Sequence, residues 1–415
     1  MSASSSTSSP AACAPPAPAG KRAAPPADAC PLCAGHGTLS PLYATAKRRT
    51  STLAQHLRPS LQATAGRATA APAERAQLRR LIPVGADPDT DGSYVAVVPL
   101  KLRPLEEADF GRDFLAVLSQ LTDVGTVSQA FFNERAQQLR DDPLSHMLVV
   151  EDLGRGRVCA AGTLVVEPKF IHQAGLAGHI EDVVVDTGLR RRGLGRLVVQ
   201  KLQRLAREAG CYKVIVDCSE ENVPFYTSCG FTRKEVCMAL YFDRRPAAEL
   251  PAGPLSLVPQ ARPVPAGHQL RFVRPEDYNS NFLALLSQLS AVGELPQPFF
   301  LDRLRSIERS KREYMVVIEA LGSSPTKLVA AATLLVEYKF IHEAGKCGHI
   351  EDVVVDSSAR GLGLGKIIIR RLVELAHEAG CYKVILDCSE KNVAFYNRCG
   401  FTQNEVCMAH YFDKK

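Results

Sequence analysis

"GHIEDVVVD" runs from Gly178 to Asp186 and returns unchanged from Gly348 to Asp356. Each copy leads into a turn rich in Arg and Gly, "RRRGLG" at 190–195 and "RGLGLG" at 360–365. The apolar run reads as a strand. The stretch after the first turn places Leu194, Leu197, Val198, Leu202 and Leu205 on one face of an amphipathic helix over 194–209, stopped by Gly210, with Gly380 as its counterpart in the second copy. The decisive unit is therefore a strand, a glycine-rich turn and a helix, held in duplicate.

Working outward, His179 and His349, Asp217 and Asp387, and Phe242 and Phe412 are all 170 residues apart. Upstream the match continues with small shifts, "VLSQLTDVG" from Val117 answering "LLSQLSAVG" from Leu285. A period this long is not that of a solenoid, whose units run about 20 to 50 residues, and 415 residues suit two domains better than one core. Two copies of one domain are expected at 95–245 and 269–415, joined by a Pro-rich linker at 246–268 and preceded by a Ser/Ala/Pro-rich extension at 1–94 that reads as disordered.

Within each copy the pattern runs strand, helix pair, then strands. Helical spacing covers Phe110–Leu121 and Phe131–Leu139, "HMLVVED", "CAAGTLVVEPKF", "HIEDVVVD" and "CYKVIVDC" read as strands, "ENVPFY" as a short helix, and "CGF" as the turn into a last strand. The fold class is α+β, a central mixed sheet flanked by helices in each copy.

Composition narrows the function. Of the net charge of +6, the first 94 residues supply +5, so the folded part is near neutral and small-molecule chemistry is favoured over nucleic acid. No apolar run reaches the roughly 18 residues that cross a bilayer. Thirteen cysteines without an apolar leader read as reduced thiols of a cytoplasmic protein. The basic extension also admits an organelle transit peptide. "CPLC" at Cys30–Cys33 with His36 lacks a second pair at metal spacing, so no metal is expected.

The Arg-x-x-Gly-x-Gly turn opens a helix, where backbone amides converge on an anion and glycine keeps side chains out of the way. A plain strand-to-helix turn is the competing reading. The turn lacks the Lys-Ser/Thr of a nucleotide loop and follows the fourth strand rather than the first, with Asn-x-x-x-Tyr and Gly-Phe downstream. That layout resembles the GNAT superfamily of acetyl-CoA-dependent N-acetyltransferases. "KFIH", "GHIEDVVV", "RGLGLGK" and "GCYKVILDCSEKNVAFYNRCGF" resemble more narrowly the glucosamine 6-phosphate N-acetyltransferases, over both 95–245 and 269–415.

The resemblance implies a set of roles. Asp217 and Asp387 stand where the family places the step that takes the amine's proton, though a strand-end Asp also suits a cap before the Ser-Glu turn. Tyr226 and Tyr396 are placed as proton donors to the leaving thiolate, and a Tyr in "FY" is otherwise a core residue. Coenzyme contacts are implied for Val183, Val185, Arg190, Arg191, Gly193, Gly195, Arg196, Asn222 and Tyr226, and for Val353, Val355, Arg360, Gly361, Gly363, Gly365, Lys366, Asn392 and Tyr396, with the Val183 and Val353 amides as oxyanion donors.

For the sugar phosphate, the resemblance implies Thr122, Lys169, His172, Glu181, Asp182, Tyr212 and Lys213, matched by Ser290, Lys339, His342, Glu351, Asp352, Tyr382 and Lys383. Adjacent acids on a strand point to opposite faces, so one of each Glu-Asp pair is expected to use its side chain. The expected reaction is direct transfer of acetyl from acetyl-CoA to the amine of glucosamine 6-phosphate in a ternary complex, a step towards UDP-N-acetylglucosamine. In the family the site is completed across a homodimer, so the tandem chain is expected to form an internal pseudo-dimer or a homodimer, with no nucleic-acid or membrane partner. One departure stands out: Tyr241 and Tyr411 sit where the family tends to carry a phosphate-gripping Arg, and Arg244–Arg245 and Lys414–Lys415 are the candidate substitutes. The alternatives are a GNAT enzyme acting on another amine and a non-catalytic coenzyme-binding or dimerising module.

Overall fold

The computed structural model describes residues 82–83, 97–242, 264–322 and 327–412. The extension, "CPLC", the linker, Arg244–Arg245 and Lys414–Lys415 lie outside the described residues. In the first copy the strands are β1 Leu100–Pro104, β2 Ser145–Asp152, β3 Arg157–Pro168, β4 Leu176–Val185, β5 Cys211–Cys218 and β6 Thr232–Tyr241. In the second they are β7 His268–Phe272, β8 Glu313–Ala320, β9 Lys327–Tyr338, β10 Lys346–Val355, β11 Cys381–Cys388 and β12 Thr402–Tyr411. The helices are α1 Phe114–Leu118, α2 Gln129–Asp141, α3 Leu194–Ala209, α4 Val223–Ser228, α5 Phe282–Leu286, α6 Gln297–Ser310, α7 Leu364–Glu378 and α8 Glu390–Asn397.

These twelve strands join one sheet in the order β1-β2-β3-β4-β5-β12-β6-β11-β10-β9-β8-β7; a two-residue pairing of Ile82–Pro83 with Val97–Val98 is separate from it. Only β4 with β5 and β10 with β11 run parallel. The order places the last strand of each copy inside the other. β6 pairs with β11, Tyr241 opposite Lys383, β12 pairs with β5, Tyr411 opposite Lys213, and the two exchanged strands pair with each other. Apolar burial follows the exchange: Val406, Met408 and Phe412 pack in the first copy's core, and Val236, Met238, Leu240 and Phe242 in the second's.

Each half-sheet carries a helix on either face. The amphipathic faces of α3 and α7 close one side; in α3 it is Leu194, Val198, Val199, Leu202, Leu205 and Ala206 that are buried. α1 with α2, and α5 with α6, close the other, and there the copies interlock again. Phe340 lies 5.2 Å from Phe114 and 4.8 Å from Phe132, while Phe170 lies 5.3 Å from Phe282 and 5.0 Å from Phe300. Each large ring so buried contributes about 2 to 3 kcal/mol. The helix expected over Phe110–Leu121 is broken in two: a 3₁₀ turn ends at Gly111, and Asp113, with φ +63°, interrupts the helical path before Phe114.

The sheet bends sharply at its centre. In a flat sheet β5 and β11, three spacings apart, would be separated by about 14 Å, and β4 and β10 by more. Yet the rings of His179 on β4 and His349 on β10 are 5.3 Å apart. Two register shifts in the β6–β12 pairing, at Gln403/Glu405 and Cys407/Met408, mark the bend.

Candidate active site

In each copy the parallel pair separates beyond its first residues. β4 and β5 are paired from Leu176–Cys211 to His179–Ile215, and β10 and β11 from Lys346–Cys381 to His349–Ile385. Past that point Val183, Val185, Val353 and Val355 flank a cleft and are half-buried, while Val184 and Val354 face the core. A register shift between Ala161 and Thr163, repeated between Ala331 and Thr333, falls opposite Asp182–Val183 and Asp352–Val353. Asp182 and Asp352 each take φ +53° there, so the backbone amides at the bulge leave the ladder direction.

The bulge overturns one sequence expectation. Alternation predicts opposite faces for adjacent acids, but Lys339 Nζ lies 2.9 Å from Glu181 and 3.2 Å from Asp182, and Lys169 Nζ lies 2.9 Å from Glu351 and 3.3 Å from Asp352. Both acids of each pair turn to one cation because the left-handed residue resets the pleat.

The lysines come from the opposite copy, and their expected role is corrected too. Lys169 also binds Glu167 at 2.7 Å and Lys339 binds Glu337 at 2.9 Å, and both ammonium groups are buried. Burial opposes their charge, but Asp352, Glu167 and Glu351 around Lys169, and Asp182, Glu181 and Glu337 around Lys339, hold each pKa well above that of an ordinary lysine. Each is the counter-ion of three carboxylates rather than an open cation for a phosphate. Burial likewise opposes charge on Glu351, yet Lys169, His179 and Lys213 together outweigh it and hold the pKa at about 2; for Asp352 burial prevails over Lys169 and lifts it to about 6.

Around each lysine its own copy builds a wall. His172, Gln173 and Ala174 all have positive φ (52°, 62° and 54°), as do His342, Glu343 and Ala344. Three successive non-glycine residues in that region are costly. The other copy holds them there: the His172 and Gln173 amides donate to Ala291 and Val292 carbonyls, and those of His342 and Glu343 to Asp123 and Val124. The turn comes so close to Gly125 and Gly293 that a Cβ on either would lie 2.6 or 2.7 Å from Glu343 or Gln173. Ser290 Oγ and His172 Nε2 are 3.2 Å apart, and half-buried Thr122 immediately precedes Asp123. The His172 and Tyr212 rings lie 4.2 Å apart and those of His342 and Tyr382 4.3 Å, with Lys213 and Lys383 beside the tyrosines at 5.9 Å.

One composite site thus joins Thr122, Glu181 and Asp182 to Lys339, His342, Tyr382 and Lys383. The other joins Ser290, Glu351 and Asp352 to Lys169, His172, Tyr212 and Lys213. Tyr241 and Tyr411 are exposed and sit across from Lys383 and Lys213.

At the far end of each cleft, Gly193 (φ +84°) and Gly363 (φ +82°) start α3 and α7 without a side-chain cap, and a Cβ on either would meet nothing within 4 Å. Uncapped amides of a long helix facing open space suit an anion. Arg191 takes φ +63° where the second copy has Gly361 at +86°, at a backbone cost of about 1 kcal/mol. Arg190 and Arg360 donate to the Val185 and Val355 carbonyls at 3.2 and 3.4 Å, Arg196 donates to Ser228, and Lys366 is exposed. Gly195 and Gly365 back onto Phe225 and Phe395, leaving 3.2 and 3.1 Å for a Cβ, and Asn222 and Asn392 are exposed at the start of α4 and within α8. Tyr226 and Tyr396 are buried; desolvation raises both phenols, which keeps them protonated at neutral pH.

Asp217 and Asp387 end β5 and β11, half-buried, each with Oδ1 lacking a hydrogen-bond partner. Burial first, then the Glu181 charge, raises Asp217; burial and then Asp217 itself raise Asp387 well above the ordinary range. Both line one small cavity with His179, Glu181, His349 and Glu351. Sequence reasoning missed Glu167 and Glu337, fully buried, each bridging a lysine to His179 or His349 at 2.9 Å. Their signal was available, since "VVEPKFIH" and "LVEYKFIH" put a Glu two residues before each Lys.

The model of the acetyltransferase (GNAT) family matches residues 113–231 and again 282–401. The chain belongs to the GNAT acetyltransferase family. Glucosamine 6-phosphate N-acetyltransferase 1 of Oryza sativa subsp. japonica is 48% identical over 143 residues, 34% of this acetyltransferase and 87% of the relative. Glucosamine 6-phosphate N-acetyltransferase of Arabidopsis thaliana is 42% identical over 144 residues, 34% of this chain and 97% of the relative. A crystal structure of the Arabidopsis thaliana enzyme covers 35% of the acetyltransferase chain and 99% of its own, at 41% identity and a TM-score of 0.34. Among the described residues no helix of the acetyltransferase is long and apolar enough to cross a membrane.

Proposed function

We propose that the chain is a tandem enzyme that transfers acetyl from acetyl-CoA to the amine of D-glucosamine 6-phosphate, directly in a ternary complex, giving N-acetyl-D-glucosamine 6-phosphate for the route to UDP-N-acetylglucosamine. Residues 95–245 and 269–415 are its two working domains. The observation that carries this reading is the composite pocket: the acids of one copy, flanked by the His-Tyr-Lys wall of the other, lie beside the splayed strands and the uncapped helix. The names of relatives at 48% and 42% identity support the same substrate.

Acetyl-CoA supplies an activated acyl group as a thioester. The amides opening α3 and α7 bind its pyrophosphate, with Arg190, Arg196, Arg360 and Lys366 adding charge, and the gap past His179 and His349 takes its pantetheine arm. The amine is nucleophilic only when neutral, and the Asp217 and Asp387 carboxylates accept its proton. The Val183 and Val353 amides at the bulge face the developing oxyanion. Tyr226 and Tyr396, kept as phenols by burial, donate to the departing thiolate. Because Lys169 and Lys339 are held by carboxylates, the sugar phosphate is met by Lys213 and Lys383, next to His172 and His342.

Thiol release from acetyl-CoA tests the proposal with glucosamine 6-phosphate, glucosamine, a polyamine and peptides as acceptors. Expected is turnover with the 6-phosphate at least tenfold above glucosamine. Preference for a polyamine or peptide, or coenzyme binding with no turnover on any acceptor, overturns it.

A further inference from the structure

We propose that Asp217 and Asp387, one from each copy, form a single proton-sharing pair at the junction, so that at neutral pH only one of the two sites has an ionised base at a time. The inference rests on the reading of these aspartates as bases. Its grounds are geometric. Because the sheet folds back at the exchanged strands, a carboxylate oxygen of each aspartate and the Cys237 thiol all lie within 4.8 Å of one another. Cys237 pairs with Asp387 across β6–β11, and Cys407 with Asp217 across β5–β12, so a thiol stands beside each acid. Oδ1 of each aspartate is buried without a partner, and both residues open to the same cavity.

The groups facing the pair do not neutralise it. Glu181 from β4, Glu351 from β10, Glu235 from β6 and Glu405 from β12 add negative charge; against them stand His179 and His349 around Asp217 and one thiol hydrogen bond to each acid, from Cys237 to Asp217 and from Cys407 to Asp387. Among the described residues no ion pair joins either aspartate. Two carboxylates this close, facing four more acids, do not ionise independently; their protons leave in two separated steps that belong to the pair. Burial and the neighbouring acid raise both groups, in keeping with this.

The consequence is alternation. An ammonium substrate entering one site favours the ionised form of that aspartate and moves the shared proton to the other. When the amine gives up its proton the pair holds two, and it returns to one by release to solvent. Independent sites would each keep their own titration; in a sharing pair, removing one carboxyl displaces the titration of the other.

The test uses the full chain with Asp217→Asn, Asp387→Asn, Asp387→Ala and the double Asn variant, reading the pH profile of kcat/KM and the carboxyl-carbon NMR titration of ¹³C-labelled aspartate. Expected are two separated steps in the parent. Each single variant should show one step, displaced downward by about one to two pH units. Asn and Ala at 387 should agree, since charge and not a new hydrogen bond is responsible. A remaining step that is not displaced, or a displacement in Asn but not Ala, overturns the sharing. A fully active double variant refutes the base role under the proposed function, while the NMR steps still decide whether a proton is shared.

Discussion

At the scale of single residues, buried charge in this chain is paired, within a copy at Arg103–Asp109 and Arg271–Asp277 and across the copies at Lys169 and Lys339, and the exceptions are the informative places. Glu313 is such an exception. It is buried, neither of its carboxylate oxygens has a hydrogen-bond partner, and burial, with Glu167, raises its pKa from 4.5 to about 8 against Arg312 and Arg303. An acid whose folded pKa is raised binds its proton more tightly folded than unfolded. Its contribution is therefore fully present below about pH 4.5 and lost as the pH climbs through about 8. Glu313→Gln should be near neutral in stability at pH 5 and more stable than the parent by about 2 to 4 kcal/mol at pH 8 to 9. Denaturant melts across that range check it, and parallel stability–pH curves for the two proteins would contradict it. The corresponding residue of the first copy is Ser145, which accepts from Arg312 at 3.1 Å, so the two halves are unequal here.

Among the elements, the turn after β3 and its counterpart after β9 do the most for assembly. Each inserts a phenylalanine between the helices of the other copy, and each has its carbonyls held by an arginine there: Arg135 donates to Lys339 and Gly345 at 2.7 and 3.1 Å, and Arg303 donates to Ala174. Phe340→Ala leaves a void against Phe114 and Phe132 and should cost about 3 to 5 kcal/mol. Because His342 and the backbone that positions it follow directly, this loss should fall on the site holding Glu181 rather than the one holding Glu351. Combining it with Asp217→Asn should cost little further rate, and combining it with Asp387→Asn should abolish turnover; the reverse pattern would overturn the assignment of walls to sites.

For the whole molecule, strand exchange makes the two copies one folding unit in which neither half-sheet is closed without the other's last strand. A protease site placed within 246–262 and cut in the folded chain should leave the halves together, eluting at the full mass of 45.0 kDa with activity retained, because the exchanged strands and phenylalanines hold them and not the linker. Separation into halves without denaturant would refute this. Pairwise complementation follows from the same topology: Asp217→Asn with Tyr382→Ala strikes one site and should match Asp217→Asn alone, whereas Asp217→Asn with Tyr212→Ala strikes both and should lose at least 95% of the rate, on the order of two kcal/mol in transition-state terms. Much of this protein was legible along the chain. The α3 and α7 faces and the strand before each glycine turn followed from local periodicity and spacing, because side-chain alternation, helical stripes and turn glycines are set by neighbours in sequence; the duplication followed from repeated stretches, and the family from the resemblance of its motifs. What sequence could not decide was which copy's lysine faces which copy's acids, whether Glu181 and Asp182 turn together, and how near Asp217 comes to Asp387. Those depend on a bulge, a bent sheet and two exchanged strands; the exchanged strands pair residues roughly 140 to 200 positions apart, where nothing local records the outcome.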